Sequence, residues 1–165
     1  MPGEVSFDVV SDFDHQELVN ALDQVRREVA ARFDFRNVPV QLELGRDEIM
    51  LRTSDEYRAK AVRELVESKA VRRGLSLKIF DWGDVEPAGK DTVRQRIGLR
   101  RGLDEDLARR IAKLIRDEFP KAKPQIQGDA VRVSGKSKDE LQKVIARLRQ
   151  TAEDYPVAIQ FENYR

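Results

Sequence analysis

Gly135-Lys136-Ser137 ends the stretch I-Q-G-D-A-V-R-V-S-G-K-S and has the residue types of a phosphate-binding loop. In such a loop, backbone amides cradle phosphate oxygens, the lysine reaches a terminal phosphate and the hydroxyl ligates magnesium. That chemistry needs a first glycine four residues before the Gly-Lys pair, and position 130 is alanine. The intervening A-V-R-V alternates like a strand, which cannot wrap a phosphate, and Ser137 stands where a helix cap belongs. One phosphate could still settle where Lys136 meets the helix start. A nucleoside triphosphatase is therefore a distant reading.

Other catalytic chemistry is sparse. The chain has no cysteine, so disulfides, thiolate metal sites and cysteine nucleophiles are excluded. His15 is the single histidine and falls in the first turn of a helix, which leaves no pair of imidazoles to bind zinc. The carboxylates are interspersed with arginine and lysine along helix faces, as on a solvated surface. Arg109, Lys113 and Arg116 form a basic stripe of the same kind. No enzyme, cofactor or metal is expected. The formal net charge of +1 excludes a strongly basic nucleic-acid coat. Neither a signal peptide nor an apolar run long enough for a membrane span is read, so a cytoplasmic protein is expected.

The elements that must carry any site repeat. Helical spacing appears at Leu18, Leu22, Val25 and Val29, at Ala61, Val62, Leu65 and Val66, at Leu107, Ile111, Leu114 and Ile115, and at Leu141, Val144, Ile145 and Leu148. Start signals precede them: Asp14 with Glu17, Thr53 with Glu56, Asp104, and Ser137 with Glu140. Between the helices, apolar residues alternate at Phe7 and Val9, along 38–44, at Ile49 and Leu51, and at Leu75, Leu77 and Ile79. The second half repeats this with Val93, Ile97 and Leu99, with Val131 and Val133, and with Val157, Ile159 and Phe161. Gly45-Arg46-Asp47 and Gly128-Asp129 are the expected hairpin turns.

The order strand–helix–strand–strand–helix–strand, twice over, predicts an α+β protein of two tandem ferredoxin-like domains. Each would be a four-stranded antiparallel sheet with two helices on one face. The copies are expected at 1–83 and 90–165, joined by a linker at 84–89 that holds Pro87 and Gly89. The pattern also allows a terminal strand to be exchanged between them. A ligand that changed the angle across that linker would change the surface shown to a partner.

The sheet face turned from the helices carries the remaining chemistry. In the second copy it is expected to hold Arg94, Arg96, Gln125, Gln127, Arg132, Ser134 and Gln160; in the first, Asp8, Gln41, Glu43, Glu48, Arg52 and Lys78. Arginine forks suit phosphates, and glutamines offer both donor and acceptor to base edges. A plain polar sheet face is the competing reading. RNA recognition of the kind that stacks bases on central-strand aromatics is not favoured, because E-I-M-L-R-T and A-V-R-V-S-G contain none.

Four strings, S-F-D-V-V-S, R-F-D-F-R at 32–36, I-Q-G-D-A-V-R-V-S-G-K-S-K-D-E-L-Q and the final Q-F-E-N-Y-R, resemble the YajQ family in order and through nearly the whole chain. The resemblance implies two ferredoxin-like domains and nucleotide binding, with some members acting as cyclic di-GMP effectors through a transcription-factor partner. GTP and ATP are further candidate ligands, and signalling is the expected role. It draws attention to Arg32, Phe33 and Arg36, to Gln127, Asp129, Arg132 and Lys136, and to Gln160, Asn163 and Arg165. Asn37, where glycine is expected, and His15, where a basic residue is usual, depart from the pattern. The leading expectation is a non-enzymatic guanine-nucleotide sensor in which Arg94, Arg96 and Arg132 meet phosphate or guanine while Gln127 and Gln160 read base edges. The alternative is a protein- or RNA-docking module with no small ligand.

Overall fold

The computed structural model describes residues 3–165. Among the described residues, eight strands and four α-helices divide between two units. The first unit contains the described residues up to Asp12 together with Arg101–Arg165; the second is Phe13–Arg100.

In the second unit, helix α1 (His15–Ala31) leads to the hairpin of β2 (Val40–Leu44) and β3 (Glu48–Thr53). Helix α2 (Glu56–Arg72) then leads to the hairpin of β4 (Phe80–Ala88) and β5 (Thr92–Leu99). The antiparallel sheet runs β2-β3-β5-β4. Leu18, Leu22 and Val25 of α1 and Val62 and Val66 of α2 close over Ile49, Leu51 and Ile97, all buried. Each such side chain contributes about 1.5–3 kcal/mol through removal from water.

The first unit begins with β1 (Val5–Val10) and resumes after the second with α3 (Glu105–Glu118). It continues through the hairpin of β6 (Lys123–Gln127) and β7 (Ala130–Gly135), α4 (Lys138–Thr151) and the short β8 (Gln160–Glu162). Its antiparallel sheet runs β6-β7-β1-β8. Phe7 and Val9 oppose Val133 and Val131 in register, and all four are buried under Ile111, Ile115, Val144 and Leu148.

Both sheets have the ferredoxin-like arrangement, but the units are not the contiguous halves 1–83 and 90–165. Strand β1 belongs to the sheet of the later residues, while β5, expected to open the second copy, completes the sheet of the earlier ones. The strand exchange that the pattern allowed is thus the observed topology. Residues 84–89 are no linker: Val85 to Ala88 pair with Gln95 to Thr92, and a turn with Lys90 and Asp91 at positive φ closes the hairpin. Pro87 is tolerated because β4 is an edge strand, where a missing N–H costs no ladder bond.

Smaller differences have local causes. Leu77–Ile79 form a 3₁₀ turn capped by Ser76 instead of a strand, so the strand starts at Phe80. Asp55, not Thr53, caps α2 by accepting from the Arg58 amide; Thr53 is the buried end of β3. Asp14, Asp104 and Ser137 cap the other helices as their spacing suggests.

Candidate functional site

On the open face of the second unit's sheet, register sets Arg52 directly opposite Arg94, and Met50 opposite Arg96. Glu86 opposes Arg94 from the other side. Like charges placed across neighbouring strands repel, so Arg52 and Arg94 together form a place where an anion would be stabilising. Arg94 Nε lies 3.4 Å from Glu86 and Arg96 Nε 2.8 Å from Glu48. These pairs are solvent-exposed, with the Arg96 side chain 70% accessible, and exposed pairs hold their members weakly.

A bulge in β4 shapes this face. The register shifts between Trp82 and Val85, lifting Gly83 and Asp84 out of the ladder. The buried Gln95 fixes the bulge by donating from Nε2 to the Gly83 carbonyl at 2.8 Å. A Cβ on residue 83 would stand 2.7 Å from the Arg96 carbonyl oxygen, so glycine permits the close approach. The result is a cavity of about 340 Å³ lined by Met50, Gly83, Asp84, Glu86, Arg94 and Arg96. Arginine forks and carboxylate acceptors face a common space beside a soft thioether.

The first unit's open face is built differently. Register aligns Gln125, Arg132, Asp8 and Glu162 in one row across four strands. The buried Asp8 carboxylate accepts from Arg132 Nε at 2.9 Å and Nη2 at 3.3 Å, and from Asn163 Nδ2 at 2.8 Å. The Arg132 hydrogen bonds hold the Asp8 carboxyl below its ordinary range against the opposing effect of burial, with Asn163 helping; Arg132 is raised in turn. Arg132 is thus anchored as a structural cation by Nε and Nη2. Gln160 is also engaged, its Oε1 accepting from the Asp12 amide at 2.8 Å. Gln127 is exposed and loosely linked to Gln125, and Lys136 is an exposed residue of the turn before α4.

Because folding lowers the Asp8 pKa, its stabilising contribution is complete above the usual carboxylate range and is lost as pH falls through the folded value. Urea unfolding followed from about pH 7 to about pH 2 should show the wild-type midpoint falling more steeply at the acid end than that of Asp8→Asn. Parallel curves would remove this role from Asp8.

Arg32, Phe33 and Arg36 occupy a 3₁₀ turn after α1, in the second unit. Asp34 chelates the Arg32 guanidinium at 3.0 and 2.8 Å; these bonds raise Arg32 and lower Asp34. Phe33 is 84% exposed. Asn37, expected to depart from a glycine, has φ 63°, the left-handed region that asparagine tolerates better than most residues.

The structure therefore brings Arg94 and Arg96 together but puts them on a different sheet from Arg132, Gln127 and Gln160. The expectation of one shared face is corrected: β5 left the copy to which it was assigned. Met50, Asp84 and Glu86 were missed as site residues. Their signal was cross-strand register and a bulge inside a segment that reads as a linker. Among the described residues no group of three or more acidic or histidine side chains could hold a metal, and no helix is long and apolar enough to cross a membrane.

Residues 5–165 match the family described as Nucleotide-binding protein YajQ-like. A Chloroflexus aggregans protein named Nucleotide-binding protein is 55% identical over 165 residues, covering all of both chains. Proteins of the same name from Trichormus variabilis and Roseiflexus castenholzii are 53% and 50% identical, again over the full length of each chain.

Proposed function

The chain belongs to the family of YajQ-like nucleotide-binding proteins, and from that premise we propose that it binds a guanine nucleotide such as cyclic di-GMP without catalysing a reaction on it. The ligand occupies the cavity of the second unit's sheet. The observation that carries this reading is the opposition of Arg52 and Arg94, with Arg96 nearby and Asp84 and Glu86 on the same cavity wall. The arginines supply forks for phosphate oxygens or for guanine O6 and N7. The carboxylates accept from the N–H groups of guanine's opposite edge, and Met50 offers polarisable surface to the base plane. Adenine presents an amino group where guanine presents O6, so it loses the arginine contact.

Signalling passes to a protein partner, a transcription factor on the family resemblance, through the turn at Arg32–Arg36 where Phe33 is exposed. The same exposed Phe33, with Tyr57 72% accessible on the same unit, favours the second reading, a docking module that needs no small ligand.

Titration calorimetry with cyclic di-GMP, GTP and ATP separates these readings. Guanine nucleotides should release heat, bind less tightly as salt rises, and change the fluorescence of Trp82, the single tryptophan, which adjoins Gly83. Absence of heat with all three nucleotides would sink the nucleotide reading. Partner capture that ignores added nucleotide and fails in Phe33→Ala would then establish the docking module.

A further inference from the structure

The first unit contains a second built cavity that the guanine-nucleotide reading does not use. It measures about 320 Å³ and lies between α4 and the start of β1. Phe7, Leu141 and Ile145 form an apolar floor, each buried. Tyr164 stands at one wall, 58% exposed, its ring stacked on Phe7 with centroids 6.2 Å apart and planes 30° apart. Lys138 and Arg165 complete the lining.

These groups are held in place. Past β8, Asn163 turns the chain with φ 57° and is pinned to Asp8. Beyond it Arg165 pairs with Ser6 through both backbone bonds, N to O at 3.0 Å and O to N at 3.1 Å. Tyr164 is therefore fixed between two anchored residues. On α4 the residues facing the cavity are spaced one helical stripe apart, Lys138, Leu141, Gln142 and Ile145. The acidic Asp139 and Glu140 of the same turn are not in the lining. Among the described residues no ion pair within 4.0 Å involves Lys138 or the Arg165 side chain, though the Arg165 charge helps to lower the Asp8 carboxyl.

We infer that this cavity is a small-molecule site for a planar aromatic anion, its ring stacking on Tyr164 above the apolar floor and its charged group meeting Lys138 and Arg165. The volume is at the lower end of ligand pockets, which suits one bicyclic ring with one anionic group. Stacking on an exposed aromatic and pairing to cations at the rim are both favourable and geometrically compatible here. Aromatic carboxylates and nucleoside monophosphates share this chemistry.

The test follows backbone and Tyr164 ring NMR signals during titration with 1-naphthoate, with the neutral twin 1-naphthylmethanol, and with 5′-GMP. The Arg94→Ala, Arg96→Ala protein serves as host, so failure of the second-unit site leaves this result readable. Shifts confined to the Phe7, Leu141, Tyr164 and Arg165 neighbourhood, at least tenfold tighter for naphthoate than for its twin, support the site. Tyr164→Ala and Lys138→Ala, both at exposed positions, should each weaken naphthoate about tenfold, while Tyr164→Phe retains it. GMP shifts at the same residues assign a nucleotide, and their absence beside naphthoate binding assigns an aromatic carboxylate. Equal binding of naphthoate and its twin, scattered shifts, or indifference to Tyr164→Ala overturns the inference.

Discussion

Replacing Arg94 and Arg96 together by alanine is expected to weaken guanine-nucleotide binding at least about 100-fold, since a hydrogen bond to a charged group is worth roughly tenfold or more and two forks are lost. The fold should survive. Both side chains are exposed, and the side chains of their partners Glu86 and Glu48 are 60% and 45% accessible, so water solvates them when the arginines leave. A second signature separates a binding role from a structural one. Arg94 opposes Arg52 directly, so Arg94→Ala alone removes a repulsion and should leave the unliganded protein as stable as wild type or slightly more so. Arg94→Lys keeps the charge but not the planar fork, so its affinity should lie between. Glu86→Gln replaces an acceptor-only carboxylate by an amide that can also donate, and the preference for GTP over ATP should narrow. Calorimetry and thermal unfolding on the same samples check all four. Wild-type affinity in the double variant would remove the cavity from the nucleotide reading.

The largest stability effect is expected at Gly102. Its φ of 79° lies in the left-handed region, which costs about 1–3 kcal/mol for a residue with a side chain. A Cβ there would also collide with Asp129, at 2.8 Å from its Cβ and 2.9 Å from its Cγ. The loop cannot easily yield, because the Gly102 amide donates to Ser11 at 2.6 Å and the Leu103 amide donates to the Asp129 carbonyl at 2.9 Å. Gly102→Ala should lower the first unit's unfolding temperature by at least about 4 °C. In an Asp129→Gly background every colliding side-chain atom is gone and only the backbone cost remains, so the drop should shrink measurably. A wild-type melting curve for Gly102→Ala would refute the packing. Asp129, prominent in the I-Q-G-D string, thereby acquires a packing task.

Much of this architecture could be read from residue order. Helix spacing located α1 to α4, capping residues marked the starts of α1, α3 and α4, and period-two alternation located most strands. The partnership of strands could not be read, because Phe7 and Val9 alternate in a way that suits either sheet equally. Pro87 and Gly89 read as a linker because the sequence does not reveal that β4 has a free edge. The candidate site divides along the same line. Arg94 and Arg96, two apart on one strand, must share a face wherever that strand goes. Arg52, Glu86 and Met50 join them only through register, and register depends on pairing partners far along the chain. Arg132 and Gln160 looked free because burial and the reach of Asp8 and the Asp12 amide are properties of the folded sheet.

Placing β1 ahead of the whole second unit also has a consequence for biosynthesis. As the chain leaves the ribosome, β1 emerges before the whole second unit, yet its sheet partners β7 and β8 follow that unit. The second unit has all of its own strands by Leu99 and can close while the remainder is still being made. Until then Phe7 and Val9 have no sheet to enter and stay exposed. The Asp8–Arg132 pairing spans 124 positions, a separation that would make loop closure slow in an unstructured chain. A second unit already folded between them replaces that long flexible loop by a compact body, with β1 leaving it at Asp12 and the chain resuming at Arg101. Residues Phe7 and Val9, made before the second unit, are buried after it.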